Sequence, residues 1–316
     1  MKFSIGIDIG GTNTAIGLVS EEGDILERIA IPTTGEADVN AYTTRLTDIV
    51  NRLRNNKVHP EIIGIGIGAP AVNHLTGVIE GATNLPWPSP IPLRKMMEER
   101  ALLPVSMAND ANAAAIGEMT YGVAKSMHDF IYITLGTGVG SGIVCDGRLL
   151  SGVRGLAGEL GHVVIDPHSK RMCACGRNGC LQTYCSASGI VTTAIELLDG
   201  LDDNSSLRDI PSSELSSRDI GEAARKGDKI AIEALRRTGE ILGFACAQFA
   251  AFSSPEAIIL FGGPTRDADL LTKPLIESFQ KNALFLYRDS VRILLSNLPA
   301  DDAAILGAAS LPYSIN

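Results

Sequence analysis

The stretch from Gly155 to Ser186, GLAGELGHVVIDPHSKRMCACGRNGCLQTYCS, constrains this chain more than any other. Cys173, Cys175 and Cys180 fall within eight residues, and His162 stands a short way before them. Three thiolates and one imidazole complete a tetrahedral set for zinc. Cysteines that serve as small hydrophobes keep apolar company, whereas Gly, Arg and Asn separate these, as in a ligand loop. Gly176 and Gly179 lie where a chain wrapping closely around an ion needs unusual backbone angles. Four protein ligands leave no position for water, so the zinc is read as structural and not catalytic.

At 316 residues the chain is long for one core and comfortable for two domains. With 45% hydrophobic and 20% charged residues, it has the composition of an ordinary globular protein. A formal charge of −9 argues against a nucleic-acid or anionic-membrane surface. The apolar run in Met1–Gly11 is short and interrupted by Asp8, unlike a signal peptide. The longest apolar helical stretch, Ile241–Phe252, is too short to span a bilayer. Six cysteines without a secretory leader read as metal ligands and reduced thiols. The expectation is a cytoplasmic protein with no nucleic-acid and no membrane partner.

An internal repeat organises the rest. IGIDIGGTNTAIGLV from Ile5 aligns with IYITLGTGVGSGIV from Ile131, so that Ile5, Ile7, Ile9 and Gly10 fall on Ile131, Ile133, Leu135 and Gly136. Each copy reads as an apolar strand, a Gly/Thr turn and a second short strand. Further buried strands are expected at Ile62–Gly68 and Pro104–Ala108 in the first half, and at Ala257–Phe261 and Val291–Leu295 in the second. Helices are expected near Tyr42–Asn55, Ala111–Tyr121, Leu181–Leu198, Ile230–Phe252 and Leu270–Leu286, with a surface loop over Asp199–Ser217. Two hairpin-led α/β halves suggest duplicated domains facing each other across a cleft.

Both turns have the chemistry of a phosphate cradle. Asp8 is followed by Gly10, Gly11, Thr12 and Asn13, and the counterpart holds Gly136, Thr137, Gly138 and Gly140. Glycine lets successive backbone N–H groups approach an anion, and the threonines add hydroxyl donors. Neither loop has the Gly-Lys-Ser/Thr of a Walker motif, and Ile143–Cys145 continues as strand where a dinucleotide fold would start a helix. Two ordinary hairpin turns would explain either loop alone; their recurrence at matching repeat positions argues for phosphate. Ile258–Gly263 is a buried strand ending in Gly262 and Gly263, where a flat base can approach the backbone. Asn109-Asp110 joins a short strand to a helix, so Asp110 reads either as a helix cap or as a functional carboxylate at a strand end.

G-E-L-G-H followed by C-A-C-G-R-N-G-C-L resembles the signature of the ROK family, which includes bacterial sugar kinases and sugar-responsive repressors. The resemblance runs from Asp8 to the helix around Gly307. It implies two actin-like, hexokinase-type (ribonuclease H-like) α/β domains flanking a cleft, with a structural zinc site. Residues 1–122, joined by a C-terminal helix near 303–316, would form the first domain, and 123–302, carrying the zinc motif, the second. The activity implied is ATP-dependent phosphorylation of a hexose, glucose to glucose 6-phosphate in the first instance. Fructose, mannose, allose, N-acetylmannosamine and N-acetylglucosamine are alternatives, and a non-catalytic sugar-sensing regulator is a further one. The family's repressors carry an N-terminal DNA-binding module, and none is expected ahead of Met1.

The resemblance also implies roles. The loop Gly10–Asn13 would meet the outer phosphates of ATP, Asp8 would act on Mg²⁺, and Gly136, Thr137, Gly138 and Gly140 would support the phosphate tail. Gly262 and Gly263 would lie at the adenine, although Pro264 stands where the family often has a third glycine. Asp110 would be the general base, with Asn109, Asp110, Glu159, His162 and Gln182 around the sugar. Gln182 departs from the family's usual Glu and exchanges a negative acceptor for an amide. Ala71 replaces the last glycine of a Gly-x-Pro-Gly turn, and Asn84 and Trp87 also have a family look. Dimers or tetramers are the implied assemblies.

Overall fold

A computed structural model describes residues 1–55, 61–82 and 84–314. The alternating apolar pattern of the first turn of sequence folds as an antiparallel hairpin, β1 (Lys2–Ile9) and β2 (Asn13–Ser20), with Ile7 opposite Ile16. β3 (Ile25–Pro32) adds antiparallel to β2. α1 (Val39–Arg54) follows, its first turn capped by Asp38, whose carboxylate accepts from the Asn40 and Ala41 amides at 2.8 and 2.9 Å. β4 (Glu61–Gly68) lies parallel to β1, followed by the two-residue ladder of β5 (Val72–Asn73) and β6 (Val78–Ile79). α2 (Leu93–Ala101) leads into β7 (Val105–Ala108), parallel to β4, and α3 (Asp110–Tyr121) starts directly after it. The sheet order is β3-β2-β1-β4-β7.

The second half repeats this plan. β8 (Phe130–Leu135), β9 (Val139–Cys145) and β10 (Arg148–Leu149) are followed by the cysteine segment, then α4 (Gln182–Cys185), α5 (Ala187–Gly200), α6 (Ser217–Arg225) and α7 (Lys229–Ser253). β11 (Ala257–Gly262), α8 (Ala268–Asn282) and β12 (Arg292–Leu295) complete a sheet ordered β10-β9-β8-β11-β12, and α9 (Ala303–Ser314) is the last described element. Central β8 therefore stands where β1 stands in the first sheet, as the aligned Ile and Gly positions predict.

Two expectations needed correction. The helix expected near 181–198 is broken at Ser186, whose hydroxyl accepts from the Gly189 amide at 3.0 Å and starts α5 afresh. The helix expected near 270–286 ends at Asn282, and Leu284, Phe285 and Leu286 are exposed beyond it. The Asp199–Ser217 loop holds only a short 3₁₀ turn, Ser206–Asp209, before Ser216 and Asp219 form a reciprocal capping box for α6.

The chain divides into two compact units, Met1–Met127 with Gly142–Gly158 and Asn297–Asn316, and His128–Ser141 with Glu159–Ser296. In the first unit, Ile5, Ile7, Ile65 and Ile67 are fully buried in one core with Tyr42 and Leu46. Gly6 and Gly66, which stand between those isoleucines, are glycines for a packing reason. A Cβ on Gly6 would strike the Ile305 carbonyl, and one on Gly66 the Ala308 carbonyl, so α9 lies backbone to backbone on β1 and β4. The second unit centres its helical core on Ile190, Ile220, Ile230 and Leu235 of α5, α6 and α7. Among the described residues no helix is long and apolar enough to cross a membrane.

Candidate functional site

The cysteine segment folds back on itself by short backbone bonds. The Cys173 amide donates to the Arg177 carbonyl at 2.8 Å, the Gly176 amide to the Cys173 carbonyl at 2.9 Å, and the Gly179 amide to the Arg171 carbonyl at 3.0 Å. Gly176 and Gly179 take φ of +84° and +72°, the left-handed conformation expected of them. This knuckle brings the ligand atoms of His162, Cys173, Cys175 and Cys180 within 4.8 Å of one another. His162 Nδ1 lies 3.5 Å from Cys173 Sγ, and the sulfurs of Cys175 and Cys180 are 3.6 Å apart. Hydrogen bonds from the Arg177 amide and guanidinium pull the exposed Cys175 thiol down to about 6, while burial pushes Cys180 up to about 12. The cluster can hold a metal ion, and the soft thiolate-rich donor set fits zinc.

Arg171 anchors the knuckle to the helices behind it. Its guanidinium donates to both Glu196 oxygens, to the Thr183 carbonyl and to the Thr193 hydroxyl, and lies 4.4 Å over the Tyr184 ring. Cys185 and Cys246 are fully buried outside the cluster, and burial raises both thiols. Both are free cysteines of the core.

In the first unit, Asp8 is the penultimate residue of β1, beside the first glycine turn. Burial, and then the charge of Asp110, push its carboxyl up to about 6. Burial and a second carboxylate nearby thus make ionisation of Asp8 costly without a cation. At the junction of β7 and α3, Asn109 and not Asp110 is the helix cap: Asn109 Oδ1 accepts from the Asn112 amide at 2.7 Å. Asp110 is the first helical residue and, among the described residues, accepts only from the adjacent Ala111 amide, at 2.8 Å. The capping explanation for Asp110 is therefore taken over by its neighbour.

A buried polar network that the sequence reading missed holds the Gly10–Asn13 turn. Thr14 Oγ1 lies 2.8 Å from Thr33 Oγ1 and 2.6 Å from the Tyr42 hydroxyl. Thr33 Oγ1 donates to the Gly10 carbonyl at 2.7 Å, and its amide to the Thr12 carbonyl at 2.9 Å. Thr33 follows β3 and Tyr42 lies in α1, with no local motif at either, so nothing in the sequence marked them. Asn84 does approach this turn, since a Cβ on Gly11 would lie 2.8 Å from its carbonyl. Trp87 is instead a core residue, 9% exposed with its ring centroid 4.4 Å from that of Tyr42. Ala71 adopts φ +53°, so the turn keeps a glycine-like conformation with an alanine in it.

In the second unit, Thr137 and Gly138 border a cavity of about 480 Å³ that Cys173, Gln182, Ser186 and Ser188 also line. A Cβ on Gly136 meets no atom within 4 Å, and the same holds for Gly263. Gly262 differs: it takes φ +118°, and a Cβ there would strike the Leu135 carbonyl, so the packing of β11 on β8 explains it. Pro264 lies in a 3₁₀ turn, Gly263–Asp267, that follows the strand. Glu159 is exposed and directly precedes the 3₁₀ turn Leu160–His162. The expected site residues thus gather in two sets: Asp8, Gly10–Asn13, Asn109 and Asp110 in the first unit, and Gly136–Gly140, Glu159, His162, Gln182 and Gly262–Gly263 in the second.

The ROK family profile matches residues 4–314. A glucokinase of Halalkalibacterium halodurans is 35% identical over 314 residues, covering 98% of this chain and 94% of that protein. The xylose repressor of Caldicellulosiruptor bescii is 30% identical over 316 residues, 98% of this chain and 78% of that protein. Among solved structures, a ROK family glucokinase from Streptomyces griseus in complex with glucose and AMPPNP superposes with a TM-score of 0.78 at 32% identity, covering 98% of each chain.

Proposed function

The chain belongs to the ROK family, and on that premise we propose that it is an ATP-dependent hexose kinase that converts glucose to glucose 6-phosphate. The observation that carries this reading is the division of roles at the end of β7, where Asn109 caps the helix and leaves Asp110 to other work. A repressor needs no general base, and a kinase does. Identity with a glucokinase over nearly the full length of both chains supports the same conclusion.

In this reading Asp110 accepts the proton of the attacking sugar hydroxyl. The new bond forms between that oxygen and the γ-phosphorus as the bond from phosphorus to the ADP oxygen breaks. The Gly10–Asn13 and Gly136–Gly140 turns supply N–H donors that hold the phosphates in line, which is most of what such a reaction asks of a protein. Mg²⁺ arriving with ATP would spread the phosphate charge, and Asp8, pushed up to about 6 in the free protein, is the carboxylate that a nearby cation would return to its ionised form. His162, Cys173, Cys175 and Cys180 would hold a structural zinc. Asn109, Asp110, Glu159 and His162 are the proposed sugar contacts. An ATP donor and reduced thiols fit a cytoplasmic enzyme.

Gln182 favours a second reading of the substrate within the same chemistry. Where a kinase of this kind usually offers a carboxylate to the sugar, this chain has an amide engaged with Cys173, so the sugar loses that contact and a hexose other than glucose or an N-acetylhexosamine is the alternative. ADP release from MgATP across a panel of these sugars, with Asp110→Asn alongside, tests both. Glucose-dependent turnover lost in the variant supports the main reading, and turnover on another sugar moves the specificity alone. Sugar binding with no turnover on any of them would replace the kinase with a sugar-sensing regulator.

A further inference from the structure

Gln182 is the first residue of α4 and stands two residues after Cys180, and its side chain reaches back to the cysteine cluster. Its Nε2 donates to Cys173 Sγ at 2.9 Å. Its Oε1 faces the other way, 3.1 Å from where a Cβ on Gly138 would stand. The amide therefore sits between a metal-ligand sulfur and the glycine turn after β8. The sense of the amide follows from its neighbour. A thiolate accepts hydrogen bonds, and the reversed amide would press a carbonyl oxygen against sulfur.

The same short helix is tied to that turn at its far end. The Ala187 amide, just after α4, donates to the Gly136 carbonyl at 2.8 Å, and Ser188 Oγ approaches the Thr137 carbonyl at 3.4 Å. Gln182 closes this circuit on the metal side. Three thiolates and a neutral imidazole around a divalent ion leave one net negative charge, which an N–H donor disperses and a carboxylate would increase. Arg177 does comparable work on the exposed side, hydrogen bonding to Cys175 and donating to the His162 carbonyl at 2.9 Å.

We propose that Gln182 is a positioning residue of the metal centre, holding the Cys173 sulfur in its ligand orientation and fixing the centre against the Gly136–Gly138 turn, and that it is not a sugar ligand. The proposal rests on the reading of His162, Cys173, Cys175 and Cys180 as a zinc site. Four consequences separate it from a merely structural role. Gln182→Glu removes the donor and adds charge, so zinc affinity falls about tenfold or more. Gln182→Met removes the donor without adding charge and fills similar space, so it loses zinc affinity to a smaller extent. With cobalt in place of zinc, the thiolate-to-metal absorption band shifts in both variants. Because the glycine turn leans on the same amide, KM for MgATP rises in Gln182→Glu more than KM for the sugar.

The experiment is chelator competition on the zinc-loaded wild type and both variants, with the cobalt spectrum and the two KM values measured on the same preparations. Gln182→Glu with wild-type zinc affinity and an unshifted cobalt band, together with an altered KM for the sugar, overturns the proposal and makes Gln182 a sugar contact. Gln182→Met indistinguishable from wild type while Gln182→Glu is weakened would mean that charge alone matters, and would remove the donor role. Wild-type protein that takes up no zinc would sink the premise itself, a result distinct from tight zinc binding that ignores position 182.

Discussion

Asp110 holds Asp8 in a state that disfavours its ionisation: after burial, its charge is what pushes the Asp8 carboxyl up to about 6 from an ordinary 3.8. The sign of the consequence can be worked out. Between pH 3.8 and about 6 the folded protein binds more protons at Asp8 than the unfolded chain does, so stability falls as pH rises through that window and stays lowered above it. Asp8→Asn removes the ionising group. Without nucleotide or magnesium it should therefore be more stable than wild type at pH 7.5, by at most about 3 kcal/mol, from a shift of about two units. The gain should vanish by about pH 4, below the folded value and near the unfolded one. Thermal unfolding of both proteins from pH 4 to 8 reads this directly, and a pH-independent difference would mean that Asp8 ionises without penalty. The same variant should bind MgATP more weakly.

Neighbouring Asn109 and Asp110 should give opposite phenotypes. Asp110→Asn keeps an acceptor for the Ala111 amide and leaves the Asn109 cap untouched. Its stability at pH 7.5 should be at or somewhat above that of wild type, because the charge that opposes Asp8 ionisation is gone, while kcat drops by roughly 10² to 10⁴ and calorimetry still detects sugar binding. Asn109→Ala should instead lose the cap and about 1 kcal/mol of stability. A fully active Asp110→Asn protein would remove the base assignment.

The contrast between those two residues also marks how far the sequence could be read. Period-two apolar runs and the Ile5/Ile131 alignment announced both hairpins and the parallel strands beside them, because burial on one face leaves a mark at every second position. The cysteine cluster was legible because metal ligands and left-handed glycines occur close together in the chain. Edge strands β3 and β10 escaped notice: Ile25–Pro32 alternates mostly half-buried with exposed residues, and Arg148–Leu149 is only two residues long. The cap was ambiguous because Asn and Asp serve equally well there. Thr33 and Tyr42 were invisible because their partner is Thr14, reached only through the fold.

Glycines that look alike in sequence should respond differently to the same substitution. A methyl group on Gly66 meets the Ala308 backbone, so Gly66→Ala must push α9 off the sheet and should destabilise the protein by about 1–3 kcal/mol or more. On Gly136 it meets no protein atom, and the backbone there is not left-handed. Gly136→Ala should therefore melt at or slightly above the wild-type temperature, with a gain of up to about 1 kcal/mol from the unfolded chain. If the turn receives phosphate, its KM for MgATP should nonetheless rise severalfold. An unchanged KM in a stable Gly136→Ala protein would remove this turn from the nucleotide site.

Removal of the metal should be visible as cleavage before it is visible as lost activity. The knuckle between His162 and Cys180 has little apolar surface to bury: Met172 is 75% exposed, Val163 and Val164 lie open as well, and two isolated bridges are its only sheet-like pairing. An ion bound by four side chains would supply the folding energy that packing does not. Lys170 and Arg177 sit on this knuckle as exposed trypsin sites, whereas Arg171 is held by Glu196 and Thr183. Zinc-loaded protein should resist trypsin at 170 and 177, a chelator should open both sites, and added zinc should close them again. Cys175→Ser should be cut even with zinc present. Equal resistance with and without chelator, in protein shown to have released its zinc, would mean that the backbone bonds and Arg171 hold the knuckle unaided.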